Sequence, residues 1–176
     1  MDLDTKRIEK ILALREGGQV QRCHTLPHIG SYTVGQHSFD AVNLLLTLHP
    51  DPSLKLVKAV LWHDMAERWV GDTPAPVLRS NPEFKRLYEE LEQKALERLD
   101  LNLGDLTEDE LAWLKAVDRL EFVHWCFTQL SMGNQFVGVA LGNAFKMLDE
   151  MENIPEPARL HLEELREGDY GRLGEI

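Results

Sequence analysis

His63 and Asp64 stand side by side at the end of an apolar run, with His37 upstream and Asp118 downstream. Positions three, four and seven residues before His63 are Val60, Ala59 and Leu56, and Asp64 follows Leu61, Val60 and Val57 at the same offsets. On a helix those offsets share a face, so ring and carboxylate both emerge on the inward side. Asp118 interrupts a stripe of Leu111, Leu114 and Phe122, and His37 opens a helix with Ala41, Leu44 and Leu45 on its side. Taken singly, a core histidine is more often hydrogen-bonded than metal-bound, and Asp118 could sit in a salt bridge to Arg119 or Arg22. A buried carboxylate is expensive unless a cation or hydrogen bonds compensate it. Two imidazoles and two carboxylates converging in one core therefore point to a metal ion. Such donors suit Co, Mn, Zn, Fe or Ni at about 2.0–2.2 Å. With four protein ligands, a metal accepting five or six keeps positions for water and a substrate oxygen.

The elements that must position these groups are helical throughout, and no segment shows convincing strand alternation. Ile8, Ile11, Leu12 and Leu14 mark a first helix that stops at Gly17-Gly18. Residues 19–35 form a polar connection. A second helix is expected from about Gln36 to Leu48, and a third from Asp51-Pro52-Ser53 to roughly Trp69. The prolines of residues 71–81 prevent a continuous helix there. Asn81-Pro82-Glu83 opens a fourth helix, and the capping-box spacing of Thr107 to Glu110 opens a long fifth one to about Met132. A sixth is expected over about Gln135–Met151, and a short last one from Pro155 to near Gly168. This reads as a single all-α domain, residues 1–176, a bundle of about six or seven helices around a buried single-metal site.

Composition narrows the partners. The formal net charge is −11, from 19 Lys+Arg against 30 Asp+Glu. That argues against general affinity for a nucleic acid polymer or an anionic membrane, while leaving room for a local basic pocket. Cys23 and Cys126 stand apart with no CxxC pair, which suits reduced thiols and a cytoplasmic protein. The opening MDLDTKRIEKILALR is charged and helical rather than leader-like, and no apolar run approaches the ~20 residues of a membrane span.

The order H…HD…D, read as His37…His63-Asp64, then Glu67, Asp72 and Asp118, resembles the HD-domain metal phosphohydrolases over nearly the whole chain. With Arg22 upstream, the pattern looks like the bacterial 5'-deoxynucleotidases and the related bacteriophage deoxynucleoside triphosphohydrolases, including dATP-specific ones. The resemblance implies an HD-domain-like bundle, a divalent metal on His37, His63, Asp64 and Asp118, Glu67 and Asp72 in proton transfer, and Arg22 as a phosphate clamp. Independently, Glu67 follows Asp64 by three residues and His63 by four, which puts it on the ligand face. Guanidinium matches phosphate geometry. No histidine lies between Asp64 and Asp118, where two-metal relatives need extra ones, so one metal is expected.

Two positions depart from the deoxynucleotidase pattern. Gln36 stands where Glu is common, and Cys23 where Trp is common. Thr25, Leu26, Pro74 and Pro76 could build an alternative base pocket. The implied reaction is hydrolysis of the 5'-phosphate ester of a 2'-deoxynucleotide. The substrate is either a dNMP or a dNTP, and in the latter case Arg79 and Lys115 are candidates for the extra phosphates. A guanosine-tetraphosphate-type pyrophosphohydrolase and a non-catalytic helical scaffold are the rivals. Small residues Gly138, Ala140, Gly142 and Ala144 suggest close helix approach and a homo-oligomer, in the cytoplasm, or the host cytoplasm for a phage-encoded chain.

Overall fold

Several helix starts in this chain are fixed by side chains that accept from their own first turn. The computed structural model describes residues 3–101 and 104–168; Met1 and Asp2, at the head of the first expected helix, lie outside them. Helix α1 spans Leu3–Gly17. Helix α2, Val34–Leu48, has a full capping box in which Thr33 accepts from the Gln36 amide and the Gln36 side chain accepts from the Thr33 amide. Gln36 is thus committed to the helix start. Ser53 caps α3, Leu54–Trp62, by accepting from Leu56.

The third helix ends sooner than its apolar period suggests. It stops at Trp62, a turn carries His63 to Ala66, and α4 covers Glu67–Val70. The cause is local. His63 Nδ1 lies 2.8 Å from the Val60 carbonyl, the acceptor that the amide of Asp64 would use in a continuing helix. The chain tightens accordingly, with Met65 N on Trp62 O and Glu67 N on Asp64 O. The proline segment is not a plain loop, because Ala75–Ser80 forms α5.

Asn81 caps α6, Pro82–Arg98, and Thr107 opens α7, Glu108–Ser131, with a second capping box. The sixth expected helix starts as a 3-10 turn at Gln135–Val137 and continues as α8, Gly138–Asp149; α9 is Glu156–Glu167. Among the described residues this makes nine α-helical segments, the excess over six or seven coming from the short α4 and α5. No described helix is long and apolar enough to cross a membrane.

Helix α7 packs against α2, α3, α8 and α9. Leu45, Leu56, Val60, Val117, Leu120 and Val123 close the core between them, each fully buried. Each such side chain contributes about 1.5–3 kcal/mol by leaving water. The connection from α1 to α2 is tied across its base. Val34 N donates to Val20 O, Gly35 N to Gly18 O, and Arg22 N to Tyr32 O. Gly35 is required there, since a Cβ on it would lie 2.9 Å from the Gly18 carbonyl. At the far end Gln129 grips both the amide and the carbonyl of Ile29, holding the loop on α7.

Candidate metal centre and cavity

Three elements bring the four expected donors together: α2 supplies His37, the turn after α3 supplies His63 and Asp64, and α7 supplies Asp118. The two Nε2 atoms of His37 and His63 are 3.3 Å apart. Asp118 Oδ1 lies 3.2 Å from His37 Nε2 and 3.6 Å from His63 Nε2. Asp64 Oδ2 is 3.6 Å from His37 Nε2 and 3.3 Å from His63 Nε2. Donors held ~2.1 Å from one ion sit roughly 3.0–3.4 Å apart, so this donor set fits a transition metal in both type and spacing. His37, His63 and Asp118 offer ligand atoms all within 4.8 Å of one another, a group that could hold one metal ion.

The rings are oriented from behind. His63 Nδ1 faces the Val60 carbonyl and His37 Nδ1 faces Glu121 Oε2, so both Nδ1 atoms have acceptors and both Nε2 atoms point into the cluster. Tyr32 OH donates to the same Glu121 oxygen at 2.5 Å and stacks on Trp125. Neither Glu121 nor Tyr32 is among the residues singled out from sequence, although Glu121 interrupts the stripe of Leu114, Val117 and Trp125 much as Asp118 interrupts its own. The carboxylate behind His37 comes from α7 and not from Gln36, which caps its own helix.

Electrostatics bind the cluster together. Burial alone would raise the carboxyls of Asp64 and Asp118, but the imidazoles outweigh it, helped by Arg22 at Asp64, and both lie well below the usual range. Burial would lower His37 and His63, yet the neighbouring carboxylates hold both above the ordinary imidazole value. Arg22 Nη1 pairs with Asp64 Oδ2, so the expected phosphate clamp touches an expected ligand. Its Nε has no hydrogen-bond partner. Asp118 pairs with neither Arg22 nor Arg119, its contacts being the two imidazoles.

Glu67 is buried beside this cluster and its Oε2 has no hydrogen-bond partner. Burial, then the charge of Asp64, push its carboxyl up to about 9. It is therefore a proton holder at neutral pH. Glu92 on α6, not singled out from sequence, is raised to about 7 by burial and the same charge. Asp72 is placed differently from Glu67. Its Oδ2 accepts from the Cys23 amide at 2.8 Å and lies 3.6 Å from His24 Nδ1, tying the α4–α5 turn to the Arg22 loop. Cys23 takes φ 53°, a left-handed conformation unusual for a side-chain-bearing residue. Burial raises its thiol to about 11, which rules out a ready thiolate nucleophile.

The cluster opens through Asp118 and Arg22 into a cavity of about 340 Å³. Of the residues expected at the substrate, Arg22, Cys23, Thr25, Asp72, Pro76 and Arg79 line it, as do Leu26 and Pro74. Lys115 does not: it is exposed, one turn too far toward the start of α7. Arg119 and Phe122 occupy the wall instead, facing Asn143, Ala144 and Met147 of α8. Glu67 is not on the wall.

This arrangement of donors, arginine and cavity coincides with a family match. The model of the 5'-deoxynucleotidase YfbR-like family matches residues 18–165. The chain belongs to the YfbR-like family. A 5'-deoxynucleotidase from Photorhabdus temperata is 29% identical over 108 residues, which cover 53% of this chain and 55% of that protein. A Vibrio cholerae 5'-deoxynucleotidase is 28% identical over 141 residues, covering 65% of this chain and 71% of the relative. The alignment thus spans little more than half of the first relative's length. Among solved structures, the cyanophage S-2L HD phosphohydrolase DatZ, bound to dA and one catalytic Zn2+ ion, superposes with a TM-score of 0.68. It is 16% identical, over 89% of this chain and 96% of that one, and the likeness shows that this YfbR-like chain shares its helical fold.

Proposed function

We propose that the protein, acting as one domain over residues 1–176, hydrolyses the 5'-phosphate ester of 2'-deoxynucleotides and releases the deoxynucleoside. The observation that carries this reading is the cluster of two imidazoles and two carboxylates, of which Asp118, together with the adjoining Arg22, lines a cavity. The named activity of the relatives and the zinc in DatZ support it. His37, His63, Asp64 and Asp118 would hold one divalent metal. A metal there supplies Lewis acidity toward a phosphoryl oxygen and toward water.

The remaining work falls to the chain's own residues. Arg22 offsets phosphate charge from the cavity wall, its guanidinium kept cationic by Asp64 despite burial. Glu67, buried beside the cluster with its carboxyl pushed up to about 9, is the chain's proton carrier for the reaction. Asp72 fixes the Arg22 loop through the Cys23 amide. Leu26, Phe122, Ala144 and Met147 give the base an apolar seat. The protein works in the cytoplasm as a homo-oligomer, through an outer face of the 3-10 turn and α8 on which Phe136 and Val139 are exposed. A monomeric mass by light scattering would discard that last part.

The test is chromatography of products after adding Mn or Co to the protein with each deoxynucleotide, beside an EDTA-treated control. Deoxynucleoside release that EDTA abolishes is expected. Silence with every deoxynucleotide at every metal tried would reject the reading.

A further inference from the structure

Two of the histidines that the metal cluster leaves unused meet each other. His124 on α7 and His161 on α9 are 37 residues apart in sequence, yet their Nε2 atoms lie 2.9 Å apart. The rings stack, with centroids 5.1 Å apart and planes 20° from parallel. Ala158, Leu162 and Leu165 seat α9 on the core, and His161 shares their face of that helix. Two imidazole nitrogens this close cannot face each other both bare or both protonated, so a proton or a metal ion must lie between them.

The pair is built as the main cluster is. Glu164 Oε2, one turn along α9, lies 3.4 Å from His161 Nδ1, so that Nδ1–H faces a carboxylate and the ring's Nε2 carries the lone pair. In the cluster, His37 and His63 bring their Nε2 atoms to 3.3 Å, and a carboxylate, Glu121, stands behind the Nδ1 of His37. The surroundings also suit a cation. His124 lines a second cavity, of about 400 Å³ between α2 and α7, whose lining includes Asp40 and Glu121 but no Lys or Arg. That cavity gives an ion and its water ligands a way in.

We propose that His124 and His161 form a second metal site, which takes one divalent transition ion such as Ni, Zn or Cu through the two Nε2 atoms and fastens α9 to α7. Imidazole donors suit those ions. The proton that otherwise lies between the rings moves from His124 Nε2 to its Nδ1, so both rings stay neutral as the ion enters. Two protein donors leave the remaining positions to water, and the site binds more weakly than the cluster of four. It takes no part in the hydrolysis described above and does not depend on that reading.

The experiment counts Ni bound by the full chain in equilibrium dialysis, for wild type, His161→Gln, Glu164→Gln and an Asp118→Ala background that disables the cluster. Wild type is expected to hold about two equivalents and His161→Gln about one, with the stronger site unchanged. Glu164→Gln should weaken the second site by about tenfold, the lower end of what a partner behind a ligating ring contributes. In Asp118→Ala, Ni should still bind and raise the thermal midpoint, and adding His161→Gln should abolish both effects. If Asp118→Ala fails to fold, the counts for wild type and His161→Gln carry the test. Cys23 and Cys126 do not compete for the ion, because burial pushes their thiols up to about 11 and about 12. A wild-type count that His161→Gln leaves unchanged would overturn the proposal. At one equivalent, only a proton bridges the rings; at two, the second ion sits on other side chains. Either failure leaves the phosphohydrolase reading standing.

Discussion

Replacing Glu121 by Gln asks whether the metal site is set from behind its ligands. Glu121 is 3% exposed, and one of its oxygens receives both the His37 Nδ1–H and the Tyr32 hydroxyl, the latter at 2.5 Å. His37 is wholly buried, so no water can stand in for a lost partner. Gln keeps the shape and can still accept from His37, but it removes the charge that makes the imidazole a better donor to a metal. A hydrogen bond to a charged acceptor is worth about 1.5–3 kcal/mol against about 1 for a neutral one. The difference, roughly 0.5–2 kcal/mol, corresponds to a rise of about 2–30-fold in metal Kd. Glu121→Ala, which frees the ring and leaves Tyr32 unsatisfied, should approach the ~100-fold end of what such partners contribute. Tyr32→Phe should cost only a few-fold, because the carboxylate remains. The assay is competition between the protein and a chromophoric chelator for Co or Zn, with the visible spectrum of bound Co reporting geometry. Glu121→Ala with a Kd within twofold of wild type and an unaltered Co spectrum would refute the reasoning.

Other substitutions probe the same site from other sides. Asp118→Ala or His63→Ala should remove stoichiometric metal from the cluster and lower turnover by at least 1000-fold; retained metal with full turnover would reject the ligand assignment. Glu67→Gln should keep the metal but lower kcat by about 10²–10⁴-fold, and a normal rate would reject Glu67 as the proton-transfer group. The same variant should stabilise the chelated protein. Glu67 ionises near 4.3 in an unfolded chain and about 9 here, so between those values the native state binds the extra proton and loses stability as pH rises. A gain of about 1–3 kcal/mol at pH 8 in urea denaturation is expected, shrinking toward pH 4. In the chelated protein His124 gives the opposite slope away from the cluster: burial and His161, 2.9 Å away between Nε2 atoms, lower it to about 4. The unfolded chain then holds the extra proton between pH 6.5 and 4, so the contribution of His124 should fall by roughly 1–2 kcal/mol from pH 7 to 5, against the slope of Glu67. A profile there that His124→Gln leaves unchanged would contradict it.

Much of this was written in local chemistry. Ser53, Asn81 and Thr107 each announce a helix start, because a cap is a contact between neighbours in the chain and needs no knowledge of the fold. The four donors could be read because each breaks an apolar stripe, and a stripe is also a property of one helix. The early end of α3 was hidden, since it depends on the His63 ring turning back to Val60 O, a choice made when Nε2 is drawn toward His37 and Asp118. The same limit explains Lys115 and Arg119. Both lie within a turn of Asp118, and the period says which face each occupies but not that α8 closes over the face of Arg119.

Glu121 marks where such reading stops. It lies on the Leu114, Val117, Trp125 stripe, one step around α7 from the stripe that revealed Asp118, so the same test applied to both faces would have found it. What no stripe could supply is its partner, His37, which lies 84 residues away in sequence. A helix that carries a carboxylate on each of two adjacent apolar faces, Glu121 buried and Asp118 half-buried, is under electrostatic strain on both, and a hydrophobic core alone gives it no relief. The relief here is a single imidazole that touches both, Nε2 toward Asp118 and Nδ1 toward Glu121. His37 therefore links the core of the bundle to its chemistry, and substitutions on either carboxylate should act on metal affinity through the same ring. The double-mutant cycle of Asp118→Asn and Glu121→Gln should depart from additivity by more than ~0.5 kcal/mol in metal binding, where two independent sites would not.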